Sequence, residues 1–547
     1  MQPSRNDSDS AAPGSSALPV RLGRSFAALA LALLAALPIW SFFGVETVPA
    51  ARLLVAGMAA VSVVSPVSGL LWCAGLLPLT GPLSAVLGSA APYSLGEPLV
   101  LAFLAGWLLR IAVRPGAPAG AARRAVLAPA LALAVVVVAS AAVQLYAVQP
   151  VSGQSRPPAV AAFHFAVTDY FRDRSTSGAI PAAAFVLEGL GLFVATLLIG
   201  GRVKALGARL LAMVSFGAVG VSALSVVRLV TVSLRKEDVW AALANYLQTI
   251  RISAAFPDPN AAGSYLAMCL LTAVGAAIAS SVGGAGPNRD TPGRSAGLLA
   301  LAAIPAVAAG LWLTGSRAAL LAVIPASALL VPLALRAPRR LRGVGAGLVV
   351  LVVLLSLPFL PGRFNPPEVT GRSLSLVVGF RTEMTRMALR MIAAQPVFGV
   401  GVGRLHARSG GYFTPEFRAA VPRENAHNNF LQVLGELGIV GFVPFVWALW
   451  AVARAVALSS RAGTLPAPAV GGAAGLAAFV LTWLTGHPLL IFEVATAFWL
   501  VLGAVAALAV AGDPAWPAGR STQRRPSEWF AILLAAATIA SVPFRGQ

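Results

Sequence analysis

Apolar runs near the length of a membrane-spanning helix succeed one another along the chain, separated by shorter segments rich in Arg, Gly and Pro. A helix crosses the hydrocarbon core with roughly 20 apolar residues. Such runs lie near 25–43, 51–65, 67–87, 97–113, 125–146, 181–200, 210–232, 261–282, 296–313, 318–335, 343–360, 428–453, 467–485 and 490–511. The pattern predicts an all-α, polytopic transmembrane helix bundle of about fourteen spans. The runs are continuous and rich in Leu, Ala and Val, unlike the alternating segments of an outer-membrane barrel. The run 25–43 follows Arg21 and Arg24 in the manner of a signal peptide, but the many spans behind it make it the first membrane helix. Pro66 falls between two runs, where proline either kinks one helix or divides two.

The polar intervals set the organisation. Residues 1–20, rich in Ser, Pro, Asp and Asn, predict a disordered cytoplasmic tail. Membrane helices fill 21–240, a second membrane region runs from 241 to 511, and 512–547 is a tail whose apolar stretch 529–542 is either a further span or an interfacial helix. Three long connections, near 147–180, 233–260 and 361–427, stand out, and long connections in compact proteins are usually functional or disordered. The last carries Met384, Met387, Ala388 and Met391 at spacings of three and four, which predicts an amphipathic helix over 380–394 against the bundle or the membrane interface.

Composition supports this picture: 58% of residues are hydrophobic and 11% charged, far from a soluble domain. The net charge of +21 does not indicate nucleic acid, because the arginines are strung out between spans as topology markers. With the amino terminus inside, the loops carrying Arg110, Arg114, Arg123 and Arg124, then Arg202, Lys204 and Arg209, then Arg289 and Arg294, then Arg336, Arg339, Arg340 and Arg342 all fall on the cytoplasmic side. That frame requires two separate spans around Pro66. It also places all four histidines, His164, His406, His427 and His487, on the outer side, where a side chain with a pKa of about 6.5 suits proton transfer. Cys73 and Cys269 sit inside apolar runs and indicate neither a disulfide framework nor a thiolate metal site.

Candidate chemistry concentrates in ENAHNNFLQVLGELGIVG, residues 424–441, where the large outer loop enters a membrane helix. At about 100° per residue, Gly438 returns near the face of His427, and Gly435 and Gly441 flank that stripe, a surface that permits close packing. Asn428 and Asn429 can orient the imidazole or bind sugar hydroxyls, or they can simply cap the helix. Glu436 lies near the opposite face from His427, which favours a structural hydrogen-bonding role. Arg317, in LTGSRAALLAV, stands on the outer side against the orientation bias, as do Arg251, Arg363, Arg372 and Arg381. Together they predict a cationic pocket able to bind phosphate oxygens. The glycines of PVFGVGVGRL follow no strand, so a tight turn is the better reading than a phosphate loop. No HExxH, GxSxG, Asp-rich metal motif or Walker lysine occurs, so no metal or cofactor is expected.

RISAAFPDPNAAGSYL, TGSRAALLA, the run from Arg381 through PVFGVGVG, and HNNFLQVLGELGIVG, in this order, resemble the O-antigen ligase and polymerase superfamily of bacterial envelope glycosyltransferases over roughly residues 240–510. Arg317 with Leu321 matches an Arg-x3-Leu element and His427 with Gly438 a His-x10-Gly element. A third element, Arg-x3-Gly in the large outer loop, is missing: Arg339 with Gly343 has the spacing but falls inside, leaving Arg381 or Arg372 to substitute. The resemblance implies a multi-pass protein of the bacterial inner membrane with its site facing the periplasm. It implies transfer of a glycan from undecaprenyl diphosphate to an acceptor hydroxyl, with His427 as base, arginines as diphosphate ligands and Asn428 and Asn429 as orienting groups. Lipid A core as acceptor gives a ligase; a second lipid-linked glycan gives a polymerase; a protein hydroxyl gives an O-oligosaccharyltransferase. The rival of another class is a secondary transporter or lipid-linked glycan flippase, for which internal repeats and mid-membrane charges are expected.

Overall fold

The computed structural model describes residues 17–45, 48–87, 94–115, 120–147, 157–172, 178–203, 205–249, 251–282, 294–335 and 374–511. Among them no strand occurs, and ten helices are long and apolar enough to cross a membrane. Every expected span coincides with a helix except 343–360, which lies outside the described residues, as do the segment 529–542, Arg339, Gly343, Arg363 and Arg372. The first helix, α1 (Ala17–Gly44), begins inside the stretch expected to be a disordered tail.

The proline at 66 divides two helices. α2 (Pro49–Val64) ends at Ser65, whose hydroxyl accepts the Ser68 N–H and caps α3 (Pro66–Leu76). A methyl group at Gly69 would overlap the Ser62 hydroxyl. Residues seven apart in a straight helix are separated by roughly 10 Å, so the chain turns sharply at Ser65. Arg110, at the end of α4 (Gly96–Val113), donates to the carbonyls of Val63 and Val64 at 3.0 and 3.1 Å and so satisfies the end of α2.

Beyond α4 the bundle continues through α5 (Ala121–Ala147), α6 (Ala179–Gly200), α7 (Leu206–Ser233) and the short α8 (Val239–Thr249). α9 (Pro259–Val282), α10 (Arg294–Thr314) and α11 (Arg317–Ser327) follow, and after the large loop come α12 (Leu374–Ala394), α13 (Asn429–Arg461), α14 (Ala467–Thr482) and α15 (Phe492–Ala509). α15 is buried along almost its whole length and forms the centre, packed against α6 and α7. Small residues let backbones meet: Gly275 of α9 and Gly471 of α14 approach so closely that a side chain on either would strike the other's backbone.

The amphipathic helix expected over 380–394 is α12, which starts earlier, at Leu374. Met384, Met387, Ala388 and Met391 are fully buried, and their partners are Val400, Leu405, Phe413 and Ala426. The outer loop thus builds a small core of its own above the bundle. Arg390 ties it down, donating to Glu383 Oε1 at 3.0 Å and to the Tyr412 carbonyl at 2.8 Å.

Candidate active site

The loop reaches α13 through a turn that holds His427 in place. Ser409 Oγ accepts the Glu424 N–H at 2.9 Å, Glu424 Oε1 the Asn425 N–H at 2.8 Å, and Gln432 Oε1 the Ala426 N–H at 3.1 Å. The Gln432 amide then donates to Asn425 Oδ1 at 3.3 Å and to Glu436 Oε1 at 2.8 Å. Held from both sides, His427 adopts φ +50°, a left-handed conformation that histidine tolerates better than most residues. It therefore lies ahead of the helix, not on it, and the turn-by-turn count from His427 to Gly438 does not apply. Asn428 is the N-cap: its Oδ1 accepts the N–H groups of Phe430 and Leu431 at 2.9 and 3.1 Å, and its amide donates to the Leu484 carbonyl at 3.2 Å. That amide is occupied by the fold. Asn429, by contrast, is 2% exposed, and its Nδ2 has no hydrogen-bond partner among the described residues.

The His427 imidazole lies against His487 with ring centres 4.5 Å apart and planes tilted by 53°, and makes an edge contact with Phe380 at 5.8 Å. Its Nε2 is 3.8 Å from Glu424 Oε1, beyond hydrogen-bond length. Burial lowers the His427 pKa, and Arg381 lowers it further, against an upward pull from Glu424 and Asp258. Burial, helped by the neighbouring His427, pushes His487 down to about 4. Both rings are neutral at neutral pH, the form that can accept a proton. His487 falls on the outer side in the sequence frame but carries no assigned role there; TGHPLL between two spans holds no motif.

The arginines converge from distant segments. Ahead of α9, Arg251 donates from Nε to the Thr314 carbonyl at 3.0 Å and from Nη2 to Asn260 Oδ1 at 2.6 Å. The Ile252 N–H reaches the Leu313 carbonyl at 2.8 Å, so the RISAAF segment runs alongside the end of α10, next to the Ser316 cap of α11 and Arg317. The Arg251 pKa is lowered first by burial, then by Arg317 and Arg381, while Asp258 raises it. Arg251, Arg317, Arg381, His427 and Asp258 therefore share one electrostatic neighbourhood at one end of the bundle. Asp258 was missed in the sequence, where it reads only as part of a Pro-rich turn.

Gly438 serves a different purpose from a helix-packing stripe. At φ +60° and ψ −167° it breaks α13 into a short half-helix and a long span. The turn 395–404 presses into the break: Val400 and Gly401 donate to the carbonyls of Gly435 and Glu436, and Ile439 and Val440 donate to those of Pro396 and Val397, all at 2.9 to 3.2 Å. The Gly403 N–H goes to Glu436 Oε2 at 2.9 Å and the Val402 N–H to Ser140 Oγ at 3.0 Å. The N–H groups of this glycine series are thus committed to protein oxygens, leaving no nest for a phosphate. Glu436 is the carboxylate that binds turn and half-helix together. Among the described residues no three His, Cys, Asp or Glu side chains gather as a metal centre needs.

The break and the histidine turn lie at the edge of a recognisable family region: residues 299–446 match the model described as O-antigen ligase. The chain carries a domain of the O-antigen ligase and polymerase superfamily. The matched stretch holds Arg317, Arg381, His427 and Gly438, whereas Arg251, Asp258 and His487 lie outside it and join the site only through the fold. A comparison with curated proteins finds no match. Ten apolar helices among the described residues, together with this family region, support a multi-pass bacterial membrane protein of the kind that transfers glycans in envelope polysaccharide assembly.

Proposed function

We propose that this protein is an O-antigen ligase of the bacterial inner membrane, which takes a glycan from undecaprenyl diphosphate and joins it to a hydroxyl of lipid A core at the periplasmic face. The observation that supports this reading is that His427, held in a left-handed backbone conformation, lies in the field of Arg381, and Arg381 in turn acts with Arg317 on Arg251, so that three arginines from separate segments gather near the histidine turn. As the acceptor oxygen bonds to the anomeric carbon, the bond from that carbon to the diphosphate oxygen breaks, and His427 takes the acceptor's proton. Charge grows on the departing diphosphate, where Arg251, Arg317 and Arg381 are pre-placed to stabilise it. Arg251 also borders a groove of about 320 Å3 lined by Val232, Tyr246 and Phe256, an apolar and cationic surface matched to a lipid diphosphate.

A transporter reading fits the broken helix less well. In transporters the groups freed at such breaks hold the substrate or ion, whereas here the carbonyls of Gly435 and Glu436 and the N–H groups of Ile439 and Val440 are bonded to the 395–404 turn. Purified protein given lipid-linked glycan and rough lipopolysaccharide should form the linked product, and His427→Ala and Arg317→Ala should each abolish it. Undiminished transfer by either variant at normal expression overturns the mechanism. Surface glycan from a deletion strain should lack attached polymer; short chains indicate a polymerase, and a shifted protein with normal lipopolysaccharide indicates a protein glycosyltransferase.

A further inference from the structure

Beside the half-helix lies a cavity of about 580 Å3, within the range of small-molecule sites. Asn425, Asn429, Gln432 and Glu436 line one wall, the last three at successive spacings of three and four residues along α13, so they share one helical face. Glu97 of α4 lies across from them, accepting a 2.6 Å bond from the Tyr170 hydroxyl, and Phe185, Phe492 and Trp499 supply flat apolar surface. Arg251, Arg317 and Arg381 do not line the wall, although the outer loop that carries Arg381 contributes Val402, Gly403, His406 and Asn425. Guanidinium groups thus gather on the His427 side, while the Glu97 and Glu436 carboxyl groups and the His406 imidazole face the cavity.

Two features indicate a ligand. The buried Asn429 amide nitrogen is unpartnered among the described residues, and an unmade hydrogen bond of this kind costs about 1–3 kcal/mol unless something polar fills the place. The wall also mixes amide donors, carboxylate acceptors and aromatic faces, the set that complements a sugar ring, whose hydroxyls both donate and accept and whose C–H face is apolar. A phosphate or other anion would meet the Glu97 and Glu436 carboxyl groups there and no guanidinium, with the His406 imidazole as the one basic group among the described residues of the wall. The cavity wall begins at Asn425 and Asn429, each two residues from His427. In a displacement at the anomeric carbon the nucleophile approaches opposite the leaving diphosphate, and so opposite the arginines.

We propose that this cavity is a subsite for an uncharged sugar residue of the acceptor, which selects neutral glycan over phosphorylated glycan and delivers its hydroxyl to His427. The assignment to the acceptor rests on the glycosyl-transfer reading; the preference for a neutral sugar does not. The test uses the full chain in phosphatidylethanolamine–phosphatidylglycerol nanodiscs and saturation-transfer NMR with a panel of neutral hexose and N-acetylhexosamine trisaccharides and their 6-phosphates. At least one neutral trisaccharide should bind, its phosphate more weakly. Asn429→Ala should weaken binding roughly fivefold to tenfold, the loss of one hydrogen bond. Val433→Trp, which fills the cavity from the same helix, should abolish it. In the transfer assay Asn429→Ala should raise the acceptor KM by a similar factor with the donor KM unchanged. Absence of binding, equal binding by both variants and the parent, or preference for the phosphates overturns the subsite. If binding behaves as described while His427→Ala still transfers glycan normally, the subsite stands and the transfer mechanism falls.

Discussion

Gly438→Ala perturbs the site without touching any group proposed to meet substrate. The backbone at Gly438 occupies a region populated essentially by glycine alone, and a side chain held there costs about 1–3 kcal/mol in strain. The added methyl would also overlap the Val397 carbonyl and the Gly399 amide, both backbone and unable to swing aside. Relief requires the 395–404 turn to withdraw, breaking the Ile439-to-Pro396 and Val440-to-Val397 bonds at about 1 kcal/mol each. The local destabilisation is therefore about 3–5 kcal/mol. Hydrogen exchange followed by mass spectrometry reads it directly: amides of 396–404 should exchange roughly a hundredfold faster or more, since each 1.4 kcal/mol is a factor of ten. Transfer should fall with it, because Glu436 and Gln432 link the turn to the loop that holds His427. Gly379→Ala is the control, an exposed position on α12 with open space around it, and should be neutral or stabilise by up to about 1 kcal/mol. Unchanged exchange and transfer in Gly438→Ala would refute the account of the break.

Other outcomes follow from the same geometry. Because His427 must be neutral to accept a proton and its folded pKa lies below the ordinary 6.5, kcat/KM should be flat through neutrality and fall only at more acid pH. Arg381→Gln removes a charge that lowers this pKa and should move the acid limb upward, and Glu424→Gln should move it downward; shifts of the opposite sign remove His427 from the role of base. Arg251→Lys cannot keep the bonds to both Thr314 and Asn260 and should cost roughly tenfold in kcat/KM for the donor. Asn428→Ala should lower thermal stability by about 1 kcal/mol through the lost cap while leaving acceptor KM unchanged. Both native cysteines are buried, so Glu416→Cys offers one exposed thiol, which a membrane-impermeant maleimide should label in intact spheroplasts; labelling only after permeabilisation places the site on the wrong side.

The spans were legible because hydropathy and helix length are local properties: twenty apolar residues in lipid must satisfy their own backbone and so form helices wherever they occur. The stripe of Met384, Met387, Ala388 and Met391 was legible for the same reason, since a 3.6-residue period marks a face before its partner is known. His427 stood out through its placement at a helix mouth. Arg251, Arg317 and Arg381 stood out as outer-side arginines expected to form a cationic pocket, whereas Asp258 and His487 carried no signal. Arg251 and Arg317 are 66 positions apart in numbering, and Arg381 and His487 come from further segments still; only packing of α9, α10, α11 and the outer loop brings them to one end. The sequence signalled that Gly438 mattered, but periodicity assumes an unbroken helix, and nothing local announces that a turn 40 residues earlier in the loop will enter there. The helical count therefore misplaced His427 relative to Gly438. Asn428 and Asn429, chemically identical neighbours, were parted in the same way: the helix start turns one amide to the cap and buries the other, without a partner among the described residues, beside the cavity wall. Composition and period determined what each segment is; which segments meet, and so where charge and cavity lie, was decided by tertiary contacts that no local pattern encodes.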